Sequence, residues 1–167
     1  MTCPIEFKRF MHIGAIVKDL DKTLEEMKKL YELQEYRISD FPPQDVPSEE
    51  IQTMYNGKPG NYTGRMCFLN LGNTEIELIQ PVSGDSVWAD HLANKGDGLH
   101  HLKFEVESIN ESIKQFAALG IKCLQYGTGV GINKGKTWAY FDTEKALGYI
   151  VETLNTQVGE IVDKSLL

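Results

Sequence analysis

The apolar positions of this chain fall into one order of periods that occurs twice. Met11 to Val17 is a nearly continuous apolar run broken by His12, the pattern of a buried strand. Leu20, Leu24, Met27 and Leu30 then recur at helical spacing, which predicts a helix capped by Asp19 or Asp21 and running to about Leu33. Residues 34 to 40 read as a short strand. Met66 to Leu71 reads as another, with Gly72-Asn73 as a turn and Glu75 to Pro81 as its hairpin partner. The order then returns. His101 to Val106 is a strand, Ile109 to Leu119 is a helix closed by Gly120, and Lys122 to Gln125, Thr137 to Asp142 and Gly148 to Leu154 are strands.

The repeat is specific. The run from His12 to Leu30 lies over that from His101 to Leu119 without a gap, so that Ile13 meets Leu102, Ala15 meets Phe104, Val17 meets Val106, Leu24 meets Ile113 and Met27 meets Phe116. The expected fold is α+β: two tandem βαβββ modules, 9–81 and 99–155, forming a curved mixed sheet around a metal-binding cleft. A linker, 82–98, carries a short helix over Ser86 to Ala93, and a polar tail, 156–167, is expected to fray. Phe41 to Gly60, rich in Pro, Gln, Asp, Ser and Gly, reads as a long surface loop of the kind that serves as a lid, and Gly127 to Gly135 as a flexible loop at the cleft mouth.

Strand alternation assigns faces. Ile13, Ala15 and Val17 take the side that receives the helix, which turns His12, Gly14 and Ile16 toward the hollow of the sheet. In the second copy Leu102, Phe104 and Val106 oppose His101, Lys103 and Glu105. His100 is expected to point away from its neighbour, as a structural or rim residue, and His91 has no evident partner. Each copy also ends in a strand with a glutamate among apolar and β-branched residues: Glu77, beside Glu75 and Ile79, and Glu152, beside Ile150 and Leu154. A carboxylate there is costly without a partner. Alone, each His or Glu reads as an ordinary strand residue; at equivalent points of a repeat, His12, Glu77, His101 and Glu152 read as a mixed N/O set for one metal ion. Such a set suits five- or six-coordinate Mn, Co, Ni, Zn or Fe with positions left for water or substrate.

Composition narrows the partners. A chain of 167 residues buries about 70% of its unfolded surface, so it needs no covalent staple. The net charge of −7 argues against a nucleic-acid partner, which would want a basic stripe, and against docking on anionic membranes. Cys3, Cys67 and Cys123 are odd in number and lie at no metal-like spacing, so free thiols in a reducing compartment are expected. The opening Met-Thr-Cys-Pro-Ile-Glu-Phe-Lys-Arg-Phe has no apolar core segment of a signal peptide, and no apolar run reaches the ~20 residues of a membrane helix. A cytoplasmic location is expected. Gly127-Thr-Gly-Val-Gly precedes no helix and fails the dinucleotide fingerprint; Trp138, Tyr140 and Phe141 read as core or cleft wall.

Over residues 9 to 155 the chain resembles the vicinal oxygen chelate superfamily, which holds glyoxalase I, methylmalonyl-CoA epimerase, extradiol dioxygenases and antibiotic-resistance proteins. Four stretches resemble the epimerase branch: His12-Ile-Gly-Ala-Ile-Val-Lys-Asp-Leu-Asp-Lys22, Leu71-Gly-Asn-Thr-Glu-Ile-Glu-Leu-Ile-Gln-Pro81, Gly98-Leu-His-His-Leu-Lys-Phe-Glu-Val106 and Gly148-Tyr-Ile-Val-Glu-Thr-Leu154. The resemblance places the family's metal ligands on His12, Glu77, His101 and Glu152, and implies one divalent ion: Co, Mn, Ni or Zn. It implies an epimerase or isomerase that removes a proton α to a carbonyl, with Glu152 as the base, an acyl-CoA or other carbonyl compound as substrate, and a homodimer as the family's habit. A glyoxalase-I-type lactoylglutathione lyase and a metal-free small-molecule-binding protein of the resistance type are the alternatives. Two features depart from the epimerase pattern. Phe141-Asp-Thr-Glu-Lys-Ala-Leu147 stands where those enzymes carry a His-Pro-Lys segment, and the strand Arg65 to Leu71 lacks the second acid, leaving Asp45, Glu49 and Glu50 of the long loop as the nearest carboxylates in sequence.

Overall fold

Ten strands form one strongly curled mixed sheet, and the chain reaches it by running the same unit twice. In the computed structural model, which describes residues 5–167, the first unit comprises β1 (Arg9–Ile16), α1 (Leu20–Leu30), β2 (Ile38–Phe41), β5 (Thr63–Asn70) and β6 (Glu75–Ser83). The strands β3 (Thr53–Tyr55) and β4 (Lys58–Pro59) intervene as an insertion. After α2 (Val87–Lys95) the second unit comprises β7 (Gly98–Val106), α3 (Ile109–Ala118), β8 (Cys123–Thr128), β9 (Thr137–Phe141), the short α4 (Glu144–Leu147) and β10 (Ile150–Asn155). The strand order is β2-β5-β6-β1-β7-β10-β9-β8-β3-β4, and the antiparallel pairing of β1 with β7 joins the units. Cys3 lies outside the described residues; Cys67 and Cys123 are free thiols.

The alternation in the sequence sorts the core into three parts. Ala15, Val17, Cys67, Leu69 and Leu78 meet Leu20 and Leu24 of α1, whose start is capped by the Asp19 carboxylate accepting from the Lys22 N–H. Val151, Ala139 and Phe141 meet Ile109, Ile113 and Phe116 of α3, with Phe116 and Phe141 stacked at 3.8 Å. Phe141 therefore serves the helix side rather than the cleft. The third cluster fills much of the hollow: Ile16, Phe41, Tyr62, Ile79, Val87, Trp88, Trp138, Tyr140, Ile150 and Leu154.

Two expectations about irregular segments change. The stretch expected as a structureless surface loop contains a 3₁₀ turn, Ser48–Glu50, and the β3–β4 hairpin, which pairs with β8 of the other unit through Thr53↔Gly127, Met54↔Tyr126 and Tyr55↔Gln125. It is a strap from one edge of the curled sheet to the other, and its partners are too distant in sequence for local periodicity to reveal. Tyr62 fastens it by donating its hydroxyl to the Tyr126 carbonyl (2.9 Å). The tail, in turn, packs on the second unit. The Glu160 carboxylate accepts from Ser108 Oγ and from the Ile109 and Asn110 N–H groups at the start of α3, and Val162 is buried against the α3 core.

Candidate functional site

Four adjacent strands, β6-β1-β7-β10, each deliver one side chain to the same point of the hollow. Gly14 of β1 stands opposite Glu77 of β6 on one side and His101 of β7 on the other, while Lys103 of β7 stands opposite Glu152 of β10. His12, Glu77, His101 and Glu152 meet there as the sequence predicts, none more than 4% exposed, with one donor atom from each inside a sphere where all pairs lie within 4.8 Å.

The geometry fits a cation. His12 Nε2 lies 3.2 Å from Glu77 Oε2, 3.4 Å from His101 Nε2 and 3.6 Å from Glu152 Oε2; His101 Nε2 lies 3.3 Å from Glu77 Oε2 and 3.0 Å from Glu152 Oε2. Donors bound to one ion by ~2.0–2.2 Å bonds at octahedral or tetrahedral angles stand about 2.8–3.6 Å apart. Glu77 Oε2 and Glu152 Oε2 are both fully buried and without a hydrogen bond. Orphaned carboxylate oxygens are expensive, and a divalent ion is the partner that satisfies both at once.

The atoms turned away from this point are held as well. Lys103 Nζ lies 2.9 Å from Glu152 Oε1, His12 Nδ1 lies 3.4 Å from Glu75 Oε1, and the Nδ1 atoms of His100 and His101 are hydrogen-bonded at 2.9 Å. Such contacts orient ligands and fix imidazole tautomers. In the metal-free protein, burial pulls the His12 imidazolium down, but the Glu77 charge and the close carboxylates of Glu152 and Glu75 outweigh it and push the pKa up to about 10. Burial opposes ionisation of Glu77, and the His12 charge with the close imidazoles of His101 and His12 overcomes it, lowering the carboxyl to about 2. Glu152 goes well below the usual carboxylate range against its own burial, through Lys103 first and then His101 and His12.

His100 departs from the expected face. Gly14 pairs with His101 and Ala15 with Leu99, so His100 is the extra residue of a β-bulge, and its ring sits beside His101, Tyr140 and His91 at 5.2, 5.6 and 5.1 Å. His91 thereby gains the partner that the sequence did not reveal. Burial drives His100 well below the usual histidine range. Lys103 was visible as an inward residue by alternation, but its contact with Glu152 depends on the pairing of β7 with β10. On one side the quartet abuts the aromatic packing, with Tyr140 5.0 Å from His101; on another, Phe68 lies 5.7 Å from His12 and is 41% exposed. Of the loop carboxylates, Glu50 pairs with Lys134 at 2.9 Å, and none of Asp45, Glu49 and Glu50 belongs to the quartet.

A duplicated βαβββ frame with two imidazoles and two carboxylates converging at its centre defines a class of protein in which the sheet can cradle a single ion. The chain belongs to the glyoxalase/bleomycin resistance protein/dioxygenase superfamily, whose family model matches residues 11–140. It is similar to the mitochondrial methylmalonyl-CoA epimerase of Homo sapiens, 28% identical over 145 residues that cover 86% of this chain and 72% of that protein. Its fold is that of the methylmalonyl-CoA epimerase from Mycobacterium tuberculosis, at a TM-score of 0.62 and 17% identity, covering 94% of this chain and 93% of that one. A variant of the Streptomyces coelicolor methylmalonyl-CoA epimerase in complex with 2-nitronate-propionyl-CoA superimposes at a TM-score of 0.60 and 20% identity, covering 93% of this chain and 100% of that one. These two likenesses establish the fold. No helix among the described residues is long and apolar enough to cross a membrane.

Proposed function

We propose that this chain is a divalent-metal-dependent epimerase or isomerase that removes a proton α to a carbonyl. His12, Glu77, His101 and Glu152 hold the ion, Glu152 is the base, and an acyl-CoA thioester is the substrate class. The observation that carries this reading is the pair of orphaned oxygens, Glu77 Oε2 and Glu152 Oε2, aimed with two imidazole nitrogens at one point. The epimerase names of the relatives favour the acyl-CoA class.

An α-proton is a very weak acid, and at this centre a bound divalent ion supplies Lewis-acid stabilisation of the oxyanion that develops as the proton leaves. The protein's part is placement. Glu152 faces the hollow from β10 with an ionised carboxylate, as a general base must be. Trp88, Trp138 and Tyr140 pack densely on one flank and exclude water, and exposed Phe68 on another flank offers an apolar surface to an acyl group.

The test is exchange in deuterated water. The chain, stripped with chelator and reloaded with Co²⁺, is incubated with methylmalonyl-CoA and other α-branched acyl-CoA thioesters. Ion-dependent incorporation of deuterium at Cα is expected; no exchange across the series by a protein that has taken up Co²⁺ removes the proposal.

A further inference from the structure

The buried charge at the centre is not balanced by the quartet alone. Glu77 and Glu152 carry two negative charges, which a divalent ion cancels. Lys103, only 6% exposed, adds an ammonium whose one ion-pair partner among the described residues is Glu152. A buried lysine is costly, and a lysine needed only to neutralise Glu152 would leave no reason for a cation beside it. The contact instead divides the carboxylate. Oε1 is taken by Lys103 at 2.9 Å, and Oε2 is left without a hydrogen bond, 3.0 Å from His101 Nε2. Lys103 reaches this place because it faces the hollow two residues after His101, directly across the parallel β7–β10 pair from Glu152.

We propose that Lys103 is a positioning and charge-setting residue of the centre. It tethers Glu152 through Oε1 so that Oε2 is left free to face an ion, and it adds one positive charge beside the centre that favours an anionic ligand there. This inference rests on the metal-dependent reading above and deepens it. Loss of the α-proton places one further negative charge on the thioester oxygen, so an added positive charge favours the enolate over the thioester it comes from. The other charged groups on this stretch of the hollow, Glu75 and Glu105, are acidic, and Glu105 is engaged by Arg9 at 3.1 Å.

The test uses binding rather than turnover. Co²⁺ uptake is followed by calorimetry and by visible absorption, and the Co²⁺-loaded protein is titrated with acetohydroxamate, a small anion with two adjacent oxygens. Lys103→Met is expected to take up Co²⁺ at least as tightly as the parent, since a neighbouring positive charge is gone. Its absorption should weaken as Glu152 is freed to bind through both oxygens and the coordination number rises. Its acetohydroxamate affinity should fall by about tenfold or more, and Lys103→Arg should recover most of that loss. If Lys103→Met does not fold, Lys103→Gln, which keeps a hydrogen-bond donor near Oε1 without the charge, carries the comparison and should show the same loss of anion affinity. Parental spectrum and parental acetohydroxamate affinity in the neutral variants overturn the inference and leave the metal centre standing. A parent chain that takes up no Co²⁺ overturns both readings, and is recognised before any variant is made.

Discussion

Gly14 lies directly beneath the His101 imidazole: a β-carbon built on Gly14 would stand 1.8 Å from His101 Cε1 and 2.1 Å from its Nε2. The two residues face each other across β1 and β7, so the ring occupies the space that any side chain at position 14 would fill. The glycine's φ is not positive; the requirement is room. Gly14→Ala should therefore leave the strand intact and drive His101 off the convergence point. The expected result is a loss of Co²⁺ affinity of at least about tenfold, with an overpacking cost of about 1–3 kcal/mol in thermal or denaturant unfolding. An alanine variant that binds Co²⁺ like the parent would show that His101 does not need this position.

Protonation of the metal-free centre sets its pH dependence. The His12 pKa is raised from 6.5 to about 10, so the stability it contributes is fully present below 6.5 and is lost as pH rises through about 10. The Glu77 pKa is lowered from 4.5 to about 2, so its contribution is present above 4.5 and lost as pH falls through about 2. Chelator-treated protein should accordingly hold the whole of both contributions between those two ordinary values, and lose one on each side. Ion binding needs neutral imidazoles, so at neutral pH it must expel the His12 proton. Calorimetric titrations with Co²⁺ in buffers of different ionisation enthalpy should report the release of about one proton per ion. Release of none would show that His12 is already neutral in the ion-free centre.

How much of this was legible in the sequence follows from the range of the interactions. The helix faces and the inward direction of His12, Glu77, His101 and Glu152 are local consequences of periods near 3.6 and 2, and an internal repeat supplied the registry that brings the two halves together. Alternation puts His100 on the wrong face because a bulge adds one residue to β7 and cancels the alternation there, and nothing in Leu99-His100-His101 marks that bulge. The strap was read as a loop because β3 owes its existence to pairing with β8, far along the chain. Lys103 was read as inward-facing, but its importance lies in the strand opposite.

The strap and the tail, both invisible as structure in the sequence, should matter to stability and not to ion binding. Tyr62→Phe removes the buried donor to the Tyr126 carbonyl and is expected to cost about 1–3 kcal/mol. Glu160→Ala removes the acceptor of the Ile109 and Asn110 N–H groups at the start of α3 and is expected to cost about 1–2 kcal/mol. Denaturant unfolding measures both. Co²⁺ affinity in either variant should match the parent's, because neither residue touches the quartet; a fall would mean that the strap or the tail shapes the centre.

Glu77 and Glu152 are near-equivalent by the internal repeat, yet the structure makes them different. Glu152 is tethered at Oε1 by Lys103, whereas Glu77 lies opposite Phe68, which is exposed. A base must stay in place while it exchanges a proton, which favours the tethered carboxylate. Glu152→Gln is then expected to lower α-proton exchange by about 10²–10⁴-fold. Glu77→Gln keeps an oxygen donor and should retain exchange once saturated with ion, its defect appearing as weaker Co²⁺ affinity. Deuterium incorporation at saturating Co²⁺ separates the two. If Glu77→Gln is the silent variant and Glu152→Gln the active one, the roles are reversed and the untethered carboxylate is the base.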